Sequence, residues 1–74
     1  MPTARELEQR IEAAIPGARA EVDTADEVHF AARVVAGSFA GLSRIQQHRM
    51  VYDVFDDGEL GGAIHALSLK TETP

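Results

Sequence analysis

The chain has 74 residues, with 12 acidic against seven basic side chains, a formal charge of −5 and no cysteine. This length allows one domain near the lower limit for a self-supporting core. The missing thiols exclude a disulfide, a thiolate metal ligand and a cysteine nucleophile from this chain, and the acidic balance opposes general attraction to a phosphate backbone.

Apolar residues make up 45% of the chain but only four residues are aromatic, so the core must be assembled mainly from Val, Ile, Leu and Ala. A core that thin leaves a small margin of stability, which a bound partner would raise. The opening MPTARELEQRIEAAIPG has no basic flank leading into an unbroken apolar run, and no segment approaches the roughly 18 apolar residues that a membrane span needs. The expectation is one domain over residues 1–74, cytoplasmic or in an organelle matrix, with no membrane association.

In chain order, Thr3 followed by Glu6 fits a capping box, and Leu7, Ile11, Ala14 and Ile15 then recur at helical spacing until Pro16 and Gly17 stop the helix. From Ala18 to Asp23 a short alternation sets Ala20 and Val22 against Arg19 and Glu21, as in a half-buried strand. Asp23 to Asp26 make a polar turn. A second strand runs from Val28 to about Ala36, with Val28, Phe30, Ala32 and Val34 on one face and His29, Ala31, Arg33 and Val35 on the other. So short a polar connection predicts a hairpin.

Gly37 to Gly41 interrupt the alternation, and Ser43 with Gln46 fits a second capping box. The helix expected from Arg44 to about Phe55 places Ile45, His48, Val51, Tyr52 and Phe55 in one stripe, with Arg44 and Gln47 on the other side and Arg49 near the edge. After Asp56 to Gly62, a last strand from Ala63 to about Thr71 alternates His65, Leu67 and Leu69 with Ile64, Ala66, Ser68 and Lys70. The order helix, strand, strand, helix, strand predicts an α/β (α+β) domain: one three-stranded mixed sheet, covered on one face by helices and closed by a parallel crossover.

Several short pieces then acquire weight from their order and separation: His29-Phe30, Val34-Val35, Phe39-Ala40-Gly41, His48-Arg49-Met50-Val51-Tyr52, Ile64-His65-Ala66-Leu67 and the ending Thr71-Glu72-Thr73-Pro74. In this arrangement the chain resembles the BolA family. The resemblance implies an α-β-β-α-β fold like a class II KH domain. It also implies a [2Fe–2S] cluster shared with a monothiol glutaredoxin and glutathione, none being held by the isolated protein. DNA contact and a weak homodimer are further implications. Two departures stand out. Gln47-His48-Arg49 replaces the family's usual Arg-His-Arg or Arg-His-Lys, removing one positive charge. The loop between the first two strands also lacks the Cys or His that many members carry there, which places the chain nearer the compact short-loop subgroup.

The histidines carry the chemistry. Read from context, His65 at the head of a strand is either a half-buried residue satisfied by a backbone carbonyl or a ligand at the rim; the resemblance implies the ligand, and neutral imidazole suits iron. His29 is the candidate second ligand, the alternative being that this protein supplies only one. His48, on the expected apolar stripe, is read as structural, packing and making a fixed hydrogen bond, as are Phe39 and Gly41. Arg44 and Arg49, with Lys70, form the small basic surface that a DNA-binding regulator would use, opposed by Asp53, Asp56, Asp57 and Glu59 nearby. No serine-centred catalytic arrangement and no glycine-rich phosphate loop is present, so a non-enzymatic protein is expected.

Overall fold

The computed structural model describes residues 3–26, 29–55 and 66–74, which form α1 (Ala4–Ala14), β1 (Arg19–Thr24), β2 (His29–Val35), a 3₁₀ turn (Gly37–Phe39), α2 (Arg44–Tyr52) and β3 (Ala66–Glu72). The expected strand residues Val28 and Ala63 to His65 lie outside the described residues.

Thr3 caps α1: its backbone is extended and its Oγ1 accepts the Glu6 N–H at 3.1 Å, satisfying one of the donors a helix start leaves open. Leu7, Ile11 and Ile15 follow at intervals of four and are all buried. Ala14, expected on the same stripe, is exposed; it lies about 60° around the helix from Ile11, and its methyl is short. Gly17 then takes a left-handed conformation, φ +73°, that turns the chain toward β1.

The sheet has the order β1-β2-β3. Antiparallel pairing runs from Arg19↔Val35 to Thr24↔Phe30, and β3 lies parallel to β2 from His29↔Ala66 to Val35↔Glu72. Alternation sends Ala20, Val22, Phe30, Ala32 and Val34 into the core, with Leu67 and Leu69 packed against it. Both helices cover this face, α1 against β1 and α2 against β3. The opposite face carries Glu21, Asp23, His29, Ala31, Arg33, Ser68 and Lys70, all exposed. There Arg33 forks onto Glu72 through Nε at 2.9 Å and an Nη at 3.3 Å. That hydrogen bond and the attached charge hold the Glu72 carboxyl below its usual range. The pair's contribution is therefore present at neutral pH and fades as the pH falls through the lowered value, and exposure to solvent keeps it small.

An edge strand presents unpaired amides, and α1 covers those of β1. Glu12 Oε2 accepts the Ala20 N–H at 3.1 Å and Glu8 Oε2 accepts the Val22 N–H at 2.9 Å. These carboxylates, one helical turn apart, do more than solubilise the helix. Replacing both Glu8 and Glu12 by alanine is expected to cost about 1–3 kcal/mol for each bond lost, read as faster hydrogen exchange at the Ala20 and Val22 amides. Unchanged exchange there would refute the capping role.

Ser43 and Gln46 form a capping box reciprocally, with the Gln46 N–H on Ser43 Oγ at 3.2 Å and the Ser43 N–H on Gln46 Oε1 at 2.9 Å, whereas at α1, among the described residues, only the Thr3 half of the expected box is made. The rest of α2 departs from the expected stripe. Ile45 is 71% exposed, while Gln47 faces inward. The reason is the loop before the helix: Gln47 Nε2 donates to the carbonyls of Phe39 and Leu42 at 3.2 and 3.0 Å, and its Oε1 accepts from Thr71 Oγ1 at 2.7 Å. The Phe39 carbonyl already accepts the Leu42 N–H at 3.1 Å, and a glutamine one turn into the helix adds a second donor to it while also reaching the Leu42 carbonyl. The inward line is thus Gln47, Met50, Val51 and Val54, and Ile45 stands about 160° from Gln47. The helix also ends at Tyr52, earlier than expected. Two tighter bonds, Val54 N–H to Val51 O and Phe55 N–H to Tyr52 O, both 3.1 Å, then swing Phe55 into the core. Phe39 is fully buried and Gly41 adopts φ +79° in the turn that follows it. Among the described residues no helix is long and apolar enough to cross a membrane.

Candidate functional site: a histidine at the head of the parallel strand pair

The first residue of β2, His29, opposes the first residue of β3, Ala66. Parallel pairing makes these two strand heads neighbours on one rim of the sheet, a relation that hydrophobic alternation could not establish. His65 precedes Ala66 in the chain and lies outside the described residues. What the rim holds in view is therefore His29 and its surroundings.

Among the described residues, neighbours hold His29 at its backbone N–H, its carbonyl and its ring. Its backbone N–H donates to Asp26 Oδ1 at 2.8 Å, its ring Nδ1 lies 2.8 Å from Asp26 Oδ2, and its carbonyl accepts from Thr24 Oγ1 at 2.7 Å. An ionised carboxylate can only accept, so it favours a hydrogen on Nδ1, which in a neutral imidazole leaves the lone pair on Nε2. The side chains remain open to solvent, 60% for His29 and 52% for Asp26. Beside them is an open cleft of about 550 Å³ lined by Asp23, Thr24, Ala25, His29, Phe30, Ala31 and Ser68. Ala31 and Ser68 are register partners, and their small side chains leave the sheet surface low next to the imidazole.

Asp26 carries a role that its place in a polar turn did not disclose. The one signal in the sequence was an aspartate three residues ahead of a histidine, across a tight hairpin. Tyr52 was likewise read only as part of a stripe, yet its hydroxyl donates to the Leu67 carbonyl at 3.1 Å. It ties α2 to β3 two residues after His65. Among the described residues no group of three or more His, Asp or Glu side chains is gathered as a metal site, and no thiolate can come from this chain.

The other singled-out residues separate. Arg44 and Lys70 line one cleft between α2 and β3, together with His48, Leu69, Thr71 and Glu72. Arg49 belongs to the last turn of α2, about 140° around the helix from Arg44, where its charge complements the helix C-terminus. The two arginines therefore do not make one surface. His48 is half-buried, and the fixed hydrogen bond expected of it is not seen among the described residues.

Comparison with known proteins agrees with this geometry. The solved BolA protein homologue from Coxiella burnetii superposes with a TM-score of 0.79 at 38% identity, covering 100% of this chain and 94% of that one. The BolA domain of SufE1 from Arabidopsis thaliana gives 0.81 at 30% identity, over 96% of this chain and 91% of that one. BolA-like protein 1 of Homo sapiens is 43% identical over 53 residues, which is 72% of this chain but only 38% of the human protein. With residues 7–74 matching the family model described as BolA-like protein, the chain belongs to the BolA family.

Proposed function

We propose that this domain is a non-enzymatic partner of a monothiol glutaredoxin in binding, trafficking or sensing a [2Fe–2S] cluster. The observation that carries this reading is the register His29↔Ala66, which sets the histidine heading β2 beside the chain position that follows His65. A histidine at the first position of β2, and in the sequence a second one immediately before the first position of β3, suit a cluster carried at the rim of the domain. Both are nitrogen donors, and the glutaredoxin cysteine and glutathione supply the thiolates that a cysteine-free chain lacks. The cluster is cargo of the pair, and imidazole ligation raises its potential relative to an all-thiolate shell.

This chain's residues hold and orient. Asp26 and Thr24 fix His29, Tyr52 and Gln47 tie β3 to α2, and the sheet keeps the two strand heads in register. No step makes or breaks a bond on a substrate, consistent with a non-catalytic domain. The presence of a BolA domain within SufE1 also supports a modular role beside other proteins. Anaerobic affinity purification of the tagged protein from its own cells tests the reading: a glutaredoxin and iron should co-purify in fixed ratio. Purification with neither would reject it.

A second reading, a small DNA-binding regulator with a class II KH-like fold, draws on the cleft shared by Arg44, His48 and Lys70. Glu72 lines the same cleft and Arg49 does not join it, so the basic surface is small. Fluorescence anisotropy with duplex DNA across a salt series decides: absence of binding at low salt removes this reading.

A further inference from the structure

We infer that Asp26 is a positioning residue for His29, fixing the imidazole in the tautomer that presents Nε2 to a metal. The inference deepens the proposed function and rests on its reading of His29 as a cluster ligand. The geometry separates two tasks that one carboxylate performs. Oδ1 accepts the His29 backbone N–H, closing the turn between β1 and β2; Oδ2 lies 2.8 Å from Nδ1 of the same residue. The first bond is a local side-chain-to-backbone bond of the kind that aspartates make in turns. The second does nothing for the turn. It holds a ring that is 60% exposed, where solvated side chains ordinarily sample several rotamers.

The Thr24 hydroxyl pins the His29 carbonyl at 2.7 Å, and the Thr24↔Phe30 pair closes the ladder of β1 and β2 at this point. Backbone and ring of His29 are thus fixed together at the end of a rigid strand pair, beside the low floor of Ala31 and Ser68. A carboxylate on the distal nitrogen of a metal-binding histidine does two things: it selects the tautomer, and it makes the ligating nitrogen a better electron donor. Losing such a partner commonly weakens metal retention by about 10–100-fold.

Asp26→Asn separates positioning from folding. The amide oxygen can still accept the His29 backbone N–H, while the amide N–H₂ donates to Nδ1 and moves the ring hydrogen to Nε2. The full-length protein, ¹⁵N-labelled and held near pH 8, where a free imidazole is neutral, reports the tautomer by long-range proton–nitrogen correlation. Wild type should show His29 protonated on Nδ1, and Asp26→Asn should invert it with the backbone spectrum retained. In the cluster-loaded complex with a monothiol glutaredoxin, Asp26→Asn should speed cluster loss to a chelator by about 10–100-fold, and His29→Ala should speed it further.

A wild-type ring protonated on Nε2, or a tautomer unmoved by Asp26→Asn, overturns the inference without any reference to the cluster. An inverted tautomer with cluster loss accelerated by His29→Ala alone overturns the role of Asp26 and leaves His29 as a ligand. Unchanged retention in both variants overturns the ligand reading of His29, and the role of Asp26 with it. Failure of the wild-type pair to hold a cluster overturns the proposed function itself.

Discussion

Replacing His65 by alanine is expected to reshape the visible circular dichroism of the cluster-loaded complex with a monothiol glutaredoxin and to accelerate cluster loss by about 100-fold or more. Removing a single outer-shell partner of a metal ligand commonly costs about 10–100-fold, and removing the ligand itself exceeds that. The visible bands report the asymmetric field of the ligands, so a lost imidazole changes their shape as well as their lifetime. His48→Ala serves as the comparison. His48 is half-buried in the cleft between α2 and β3, beside Leu69 and Thr71, away from the rim where β2 and β3 begin, and its replacement should leave the bands in place. A His65→Ala complex with the wild-type spectrum and lifetime would remove His65 from the ligand set.

The largest effect on stability belongs to Phe39. It is fully buried in the 3₁₀ turn and is the largest side chain so enclosed. It contributes its ring to the core and its carbonyl to the bond from Gln47. Truncation of a buried phenylalanine to alanine costs about 3–5 kcal/mol. A chain of 74 residues at about 0.05–0.15 kcal/mol per residue commands about 4–11 kcal/mol in total. Phe39→Ala should therefore consume much of the domain's stability, shifting the urea midpoint far toward water and leaving an appreciable unfolded fraction without denaturant. A midpoint close to wild type would show that this part of the core collapses around the gap or is loosely packed.

The fold could be read from local patterns wherever those patterns had no competitor. Thr3 with Glu6 and Ser43 with Gln46 marked both helix starts, and the alternation through Phe30, Ala32 and Val34 identified which face of β2 is buried. The second helix departs from its pattern because spacing and polarity put Ile45 inward and Gln47 outward, the reverse of their places in the structure. Gln47 turns inward to bond the carbonyls of Phe39 and Leu42 and the hydroxyl of Thr71, and those partners come within reach only once the loop and β3 have been placed. Polarity in a sequence does not say which backbone groups a side chain will meet.

The site was legible in a different sense. The resemblance pointed to His65 and His29, and composition dictated that any thiolate must come from elsewhere. The adjacency of the two strand heads is a matter of register, which depends on pairing across the whole of β2 and β3 and leaves no mark near either histidine. The same holds for Glu8 and Glu12. They become caps of the β1 edge only when the helix lies along that strand. Asp26 occupies a middle position: a turn aspartate is predictable, but the use of its second oxygen on the His29 ring follows from the turn's three-dimensional shape.

Native mass spectrometry of the protein mixed with a monothiol glutaredoxin and glutathione under anaerobic cluster reconstitution decides whether the two proteins share a cluster. One species should appear that contains one copy of each chain and a single [2Fe–2S] cluster, with the glutaredoxin homodimer depleted as this chain is added. A cluster that remains entirely in the glutaredoxin homodimer, with this protein recorded as a separate iron-free chain, would contradict a shared cluster.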